Sequence, residues 1–149
     1  MLFRSDMATY IMLHIEYRLK TEGCWKHINW DTAFMSRGYS TLCAYLGWGG
    51  VEGSLPLRGL PQDITEDTRE SIYHEEESPD PDYTDFTWCS TDELERTIEL
   101  AYDAMQLKVG QEYDLRGQDE YLEWKAVVGY MKILESSNRY LCRAVYWFF

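Results

Sequence analysis

The segment Tyr140–Phe149 (YLCRAVYWFF) constrains the fold more than any other, because it is apolar at both parities of a strand and carries one charge, Arg143. Side chains alternate across a strand, so a segment of this kind must be covered on both faces and lie inside a sheet. Thr9–Leu19 (TYIMLHIEYRL) has the period of two expected of a strand beside it. Ile11, Leu13, Ile15, Tyr17 and Leu19 point one way, and Tyr10, Met12, His14, Glu16 and Arg18 point the other. Thr21-Glu22-Gly23 then turns the chain into Cys24–Trp30, which predicts a hairpin.

Helical spacing fills the middle of the chain. Leu42, Tyr45 and Leu46 predict a short helix over Arg37–Trp48, stopped by Gly49-Gly50. Asp63 with Glu66 three residues on reads as a capping box for a helix ending near His74. Ser90 with Glu93 is a second box, ahead of the stripe Leu94, Ile98, Ala101 and Met105. Glu120–Ser136 is amphipathic through Tyr121, Trp124, Val128 and Met131, and Asn138-Arg139 ends it. The predicted fold is α+β: a small sheet from an N-terminal hairpin and the C-terminal strand, packed with about four helices, the first and last strands side by side.

With 149 residues, 45% hydrophobic and 15% aromatic, the chain is expected to form one domain over 1–149. Met1–Asp6 reads as an upstream extension and Glu75–Asp82 (EEESPDPD) as an acidic, proline-containing loop. No apolar run nears the roughly 20 residues that span a bilayer, and Met1–Asp6 is too short for a secretory signal, so a cytoplasm is expected. Cys24, Cys43, Cys89 and Cys142 lack the paired spacing of a zinc site and read as reduced thiols.

Charge is divided unevenly. Asp63–Asp103 holds fifteen acidic side chains against Arg69 and Arg96, a net −13, while the rest of a chain of total charge −12 is at +1. A field of that sign repels nucleic acid and anionic membrane and draws in basic protein surfaces. Direct nucleic-acid binding is therefore not expected. Glu75, Glu76, Glu77, Asp80, Asp82 and Asp85, interleaved with Tyr83, Phe86 and Trp88, are the candidate partner-binding residues, since aromatics give a charged surface its specificity. A helix studded with carboxylates also matches the linear charge density of duplex DNA, about one charge per 1.7 Å, and such a surface can occupy a nucleic-acid groove.

No Walker loop, nucleophile elbow, Cys-His pair or Gly-x-Gly-x-x-Gly is present, so no catalytic residue, metal or cofactor is assigned. His14 and Glu16 share a strand face with Arg18, and His27 faces them from the next strand. Two histidines and a carboxylate beside an arginine fit a surface ion-pair cluster better than a metal site. Arg18, Arg37 and Arg58, together with Arg143, are the candidates for an anion or nucleotide pocket, because guanidinium forks grip phosphate.

Several motifs in the same order resemble a family of small phage-encoded proteins of unassigned function. The opening from Met7 (MATYIMLHIEYR) is similar to that family's Met-Gly-Cys-Asp-Ile-His start and alternating strand ending in Glu-x-Arg. Arg37-Gly38-Tyr39, Arg58-Gly59-Leu60-Pro61 with Asp63, Trp88 with Thr91-Asp92-Glu93-Leu94, and Val145-Tyr146-Trp147-Phe148 follow, so the likeness spans Met7 to Phe149. Tyr10 and Met12 stand where the relatives carry Asp and His, and Thr84 and Phe86 where they often carry His. If those positions bind metal or act as a base in relatives, that chemistry is lost here.

The resemblance implies a phage accessory protein acting in the host cytoplasm. Together with the charge map it gives the first reading: a non-enzymatic antagonist of a host antiviral defence protein that has a basic surface. The alternative is a small anion- or nucleotide-binding module, using Arg18, Arg37, Arg58, His14 and Glu16, that sequesters or turns over a nucleotide signal. A homodimer through the aromatic C-terminal strand is a further expectation.

Overall fold

The structure, a computed structural model, describes residues 9–29, 33–73 and 80–149. In chain order its elements are β1 (Thr9–Leu19), β2 (Lys26–His27), β3 (Phe34–Gly38) and α1 (Ser40–Cys43), which runs into a π-helical turn at Ala44–Trp48. There follow α2 (Glu66–Tyr73), β4 (Thr84–Ser90), α3 (Thr91–Val109), a 3-10 turn at Leu115–Gly117, α4 (Asp119–Ser136) and β5 (Tyr140–Phe148). The described residues form one five-stranded antiparallel sheet with helices against it, an α+β fold that includes the strands from both ends of the chain.

Within the sheet β1 and β5 lie side by side, from Ile11 opposite Phe148 to Leu19 opposite Tyr140. β4 borders the outer edge of β5, and β2 and β3 follow one another along the outer edge of β1. The all-apolar strand thus occupies the interior position its composition requires. β1 pairs with it from Tyr140 to Phe148 on one edge, and β4 from Arg143 to Phe148 on the other.

The predicted helix over Arg37–Trp48 needs correction, because Phe34–Gly38 is strand and the helix starts at Ser40. Gly38 marks the corner. A Cβ at this position would stand 2.5 Å from Cys43 Sγ and 3.1 Å from Ile11 Cδ1, so only glycine lets the chain turn this tightly against β1. The helical spacing of Leu42, Tyr45 and Leu46 is genuine, but it does not reach back through the corner.

One sheet face holds the larger core. Ile11, Leu13 and Ile15 with Ala144, Tyr146 and Phe148 meet Leu94 and Ile98 of α3, Trp124 and Val128 of α4, and Leu42 and Leu46 of the first helical segment. Ser90 starts α3 with the predicted capping box: its Oγ accepts from the Glu93 amide at 3.2 Å, and the Glu93 carboxylate accepts from the Ser90 amide at 3.0 Å. Ser90→Ala is expected to lower stability by about 1 kcal/mol, read as a reduced urea midpoint with unchanged slope. No change in midpoint would mean that the Glu93 side alone holds the helix end.

The other face carries a smaller core of Ile72, Val145 and Trp147, flanked by Met12, Leu60, Ile64, Tyr83, Phe86 and Trp88. α2 lies over this face, and the Asp80 amide donates to Ile72 O at 3.0 Å, which returns the chain from α2 toward β4. Asp85 has φ 58° at the register shift between Thr84 and Thr87, a β-bulge at a position where Asp accepts left-handed backbone. Among the described residues no helix is long and apolar enough to cross a membrane.

Candidate docking face and the buried polar cluster beside it

The second face of the sheet has two halves with different chemistry. Under α2 it is polar and sealed. Glu16, with no exposed surface, accepts on Oε1 from Arg143 Nε at 2.8 Å, and Arg143 Nη2 lies 2.7 Å from the same oxygen. Its Oε2 accepts from the Thr65 amide at 2.9 Å and from the Thr68 hydroxyl at 2.7 Å. The carboxylate therefore sits at the start of α2, where unpaired amides and the helix dipole favour negative charge. Arg143 also donates to Asp63 Oδ1 at 3.0 Å and to Asp63 O at 3.1 Å, and its guanidinium stacks 4.0 Å from the Trp25 ring centroid.

Asp63 is thus engaged by Arg143 and does not form the predicted box with Glu66. Thr65 caps the helix instead, its Oγ1 accepting from the Thr68 amide at 3.2 Å. A threonine followed three residues later by another threonine lacks the acidic residue that marks a box, which is why the sequence pattern pointed two residues upstream.

Beside this ion pair, His14 Nδ1 and His27 Nε2 are 2.7 Å apart, and His27 Nδ1 is 2.6 Å from Ile28 O. A carbonyl only accepts, so His27 carries its proton on Nδ1, and with neutral rings His14 Nδ1–H donates to His27 Nε2. His14 Nε2 is then a bare lone pair, buried without a hydrogen-bond partner, while the ring stacks on Trp147 at 5.5 Å. Burial, then the neighbouring charge of His27, hold His14 down to about 4, against the opposing pull of Glu16. The predicted surface cluster of His14, Glu16 and Arg18 is therefore corrected in two ways. It is interior, and its arginine is Arg143; Arg18 lies over Trp25 at 5.2 Å and donates to Leu19 O.

The second half of this face is open. Tyr10 pairs with Arg37 and Met12 with Met35, so these four side chains project on the same side as His14 and Glu16. Tyr10 is 38% exposed and Met35 50%, and Arg37 is exposed. The Phe149 ring joins this group to the start of β4, 5.6 Å from Tyr10 and 5.4 Å from Tyr83. Half-buried Asp80 and exposed Asp82 bring their charge to Tyr83, and exposed Asp85 follows two residues on. Tyrosine, phenylalanine, methionine and arginine are the residues enriched where proteins meet, and here they form one continuous surface with carboxylates at its rim.

Of the predicted partner-binding residues, Asp80, Asp82, Tyr83 and Asp85 lie at this surface. Phe86 and Trp88 turn inward by half: Phe86 packs on Trp147 at 5.7 Å, and Trp88 lies under the Arg58 guanidinium at 4.6 Å. Glu75, Glu76 and Glu77 fall outside the described residues. Tyr10, Met35 and Phe149 were not among the predicted partner-binding residues; the pairing of β1 with β3 places Tyr10 and Met35, and ring contact places Phe149.

The arginines do not converge on one pocket. Arg37 stands opposite Tyr10 near one end of β1 and Arg18 near the other. Arg58 donates to Trp88 O at 2.9 Å and grips Glu93 through two bonds of 2.9 and 2.6 Å. These bonds from Arg58, with help from Ser90, hold the Glu93 carboxyl down to about 2. The proline-flanked loop is pinned by its own arginine, which is thereby committed to the protein itself.

The acidic segment also divides. On α3, Glu95 meets Lys132 at 2.6 Å, Glu99 meets Arg116 at 2.9 Å and Lys125 at 3.4 Å, and Asp103 meets Arg116 at 2.7 Å. Residues 63–85 hold ten acidic side chains against Arg69; of those described, Glu66, Asp67 and Glu70 lie on α2, on the opposite side of the sheet from α3, Asp80 and Asp82 lie just ahead of β4, and Asp85 lies within it. Exposed Asp82 and Asp85 stand beside the open face.

Cys43, Cys89 and Cys142 are buried, and burial pushes the Cys142 thiol up to about 12 and the Cys89 thiol higher, so neither of these two supplies a thiolate. Among the described residues no three His, Cys, Asp or Glu side chains are placed to hold a metal ion. The chain matches no protein-family model, no curated protein and no solved structure.

Proposed function

We propose that this chain is a non-enzymatic binding protein that docks a basic protein surface on the open half of its sheet. The observation that carries this reading is the surface of exposed Tyr10 and Met35 with half-buried Tyr83 and Phe149, and Asp80, Asp82 and Asp85 near Tyr83 in the chain. Apolar area at the centre supplies affinity, and the carboxylates select a partner of opposite charge and speed the encounter. The resemblance to small phage proteins supports a host protein, met in the host cytoplasm, as that partner, and antagonism of antiviral defence as the role. Competition with nucleic acid for a basic groove is the form of inhibition that the charge of residues 63–85 suits best.

The test is capture from a bacterial lysate followed by titration of the purified retained protein. Tyr10→Ser with Tyr83→Ser is expected to weaken binding about thirtyfold or more, the scale of a hot-spot loss. Asp80→Asn, Asp82→Asn and Asp85→Asn together are expected to slow association and flatten its salt dependence. Asp92→Asn with Leu107→Ser, on the far side of the sheet, serves as the control. Equal weakening by the control, or no weakening by either test variant at matched melting temperature, would remove this face as the docking site.

A further inference from the structure

We infer that the His14–His27 contact is a proton-counting latch on α2: the facing ring nitrogens hold one proton between them, and a second forces the rings apart and lifts α2 off the sheet. The geometry requires it. At 2.7 Å the two nitrogens share a single hydrogen, and two N–H groups pointed at each other at that separation repel. The first proton is accommodated. It enters at the bare His14 Nε2 and leaves a single hydrogen between the rings, while His27 Nδ1 faces Ile28 O and, 3.7 Å away, Asp67 Oδ2 of α2. The second has no such outlet, because His14 is 3% exposed and stacked on Trp147.

The charged groups around the pair are assigned elsewhere. From β1, Glu16 is bonded to Arg143 of β5 and to Thr65 and Thr68; Arg143 reaches Asp63 ahead of α2; and Asp67 on α2 approaches His27 alone. None of them bonds to His14 Nε2. To become charged, His14 must therefore reach water, and α2 with Ile72 stands over the second core of which Trp147 is part. The direction in pH follows. His14 is held at about 4 in the fold against 6.5 in an open chain, so the closed state is fully favoured above pH 6.5, loses ground as pH falls to 4, and levels off below.

Amide exchange read residue by residue, corrected for the intrinsic pH dependence, tests this on the intact chain. Protection of Thr68–Tyr73 is expected to fall about a hundredfold between pH 6.5 and 4, while Leu94–Met105 in α3 hold theirs. His14→Gln should remove that fall. The ring ¹⁵N spectrum of the wild type gives a second readout that needs no variant: double protonation of the pair and opening of α2 must coincide. The inference is overturned if His14→Gln loses α2 protection over the same range, which would assign the effect to Glu16, Asp63 or Asp67. It is also overturned if both rings become doubly protonated while α2 stays protected.

Discussion

Replacing Glu16 by alanine is expected to cost about 3–5 kcal/mol, the largest loss from any single polar side chain in the protein. The carboxylate serves three donors, Arg143, the Thr65 amide and the Thr68 hydroxyl, in a place without water. Its removal strands a buried guanidinium with only the exposed Asp63 and the face of Trp25, and it frees the start of α2. Glu16→Gln keeps the shape but not the charge and should fall between wild type and alanine. The pair Glu16→Leu with Arg143→Met should recover most of the loss, since a buried ion pair is costly to break and cheap to replace with packed apolar groups. Chemical denaturation followed by tryptophan fluorescence measures all three. A double variant no better than the single one would show that the bonds to α2, and not the stranded charge, carry the effect.

Trp147→Ala is expected to cost a similar 3–5 kcal/mol, by a different route. Its ring is fully buried and meets His14 at 5.5 Å, Tyr83 at 5.6 Å and Phe86 at 5.7 Å, so it joins the closed and open halves of the second face. Trp124→Ala on the first face removes a ring of the same size, packed on Phe34 at 4.9 Å. The two variants should differ in where the loss is felt. Without Trp147, amides of α2 and of 80–86 should exchange faster while those of α3 and α4 remain protected; without Trp124 the order reverses. Equal loosening of both faces in both variants would show one cooperative core, with no separate layer to support a docking face.

The strands at the two ends of the chain were legible because their side-chain alternation is local. So were α3, whose capping box and apolar stripe lie within a few residues of one another, and α4, whose stripe is equally local. The Arg143–Glu16 pair was not, although each residue stood out: its existence depends on the register between β1 and β5, which brings together residues 127 positions apart. Charge misled for the same reason. Glu95, Glu99 and Asp103 look like part of one acidic tract, yet Lys125, Lys132 and Arg116, from α4 and the turn before it, answer them across space. The candidate surface was half legible. Tyr83 and its aspartates were visible as acids among aromatics, whereas Tyr10, Met35 and Phe149 join them only through strand pairing and ring contact.

Radical footprinting of the chain alone and with its purified partner bears most directly on the docking face. Tyr10, Met35 and Tyr83 should lose labelling in the complex, while exposed Leu107, Tyr113 and Ile133 on the helical side keep theirs. Protection at Leu107, Tyr113 or Ile133 with Tyr10 and Met35 unchanged would contradict the account.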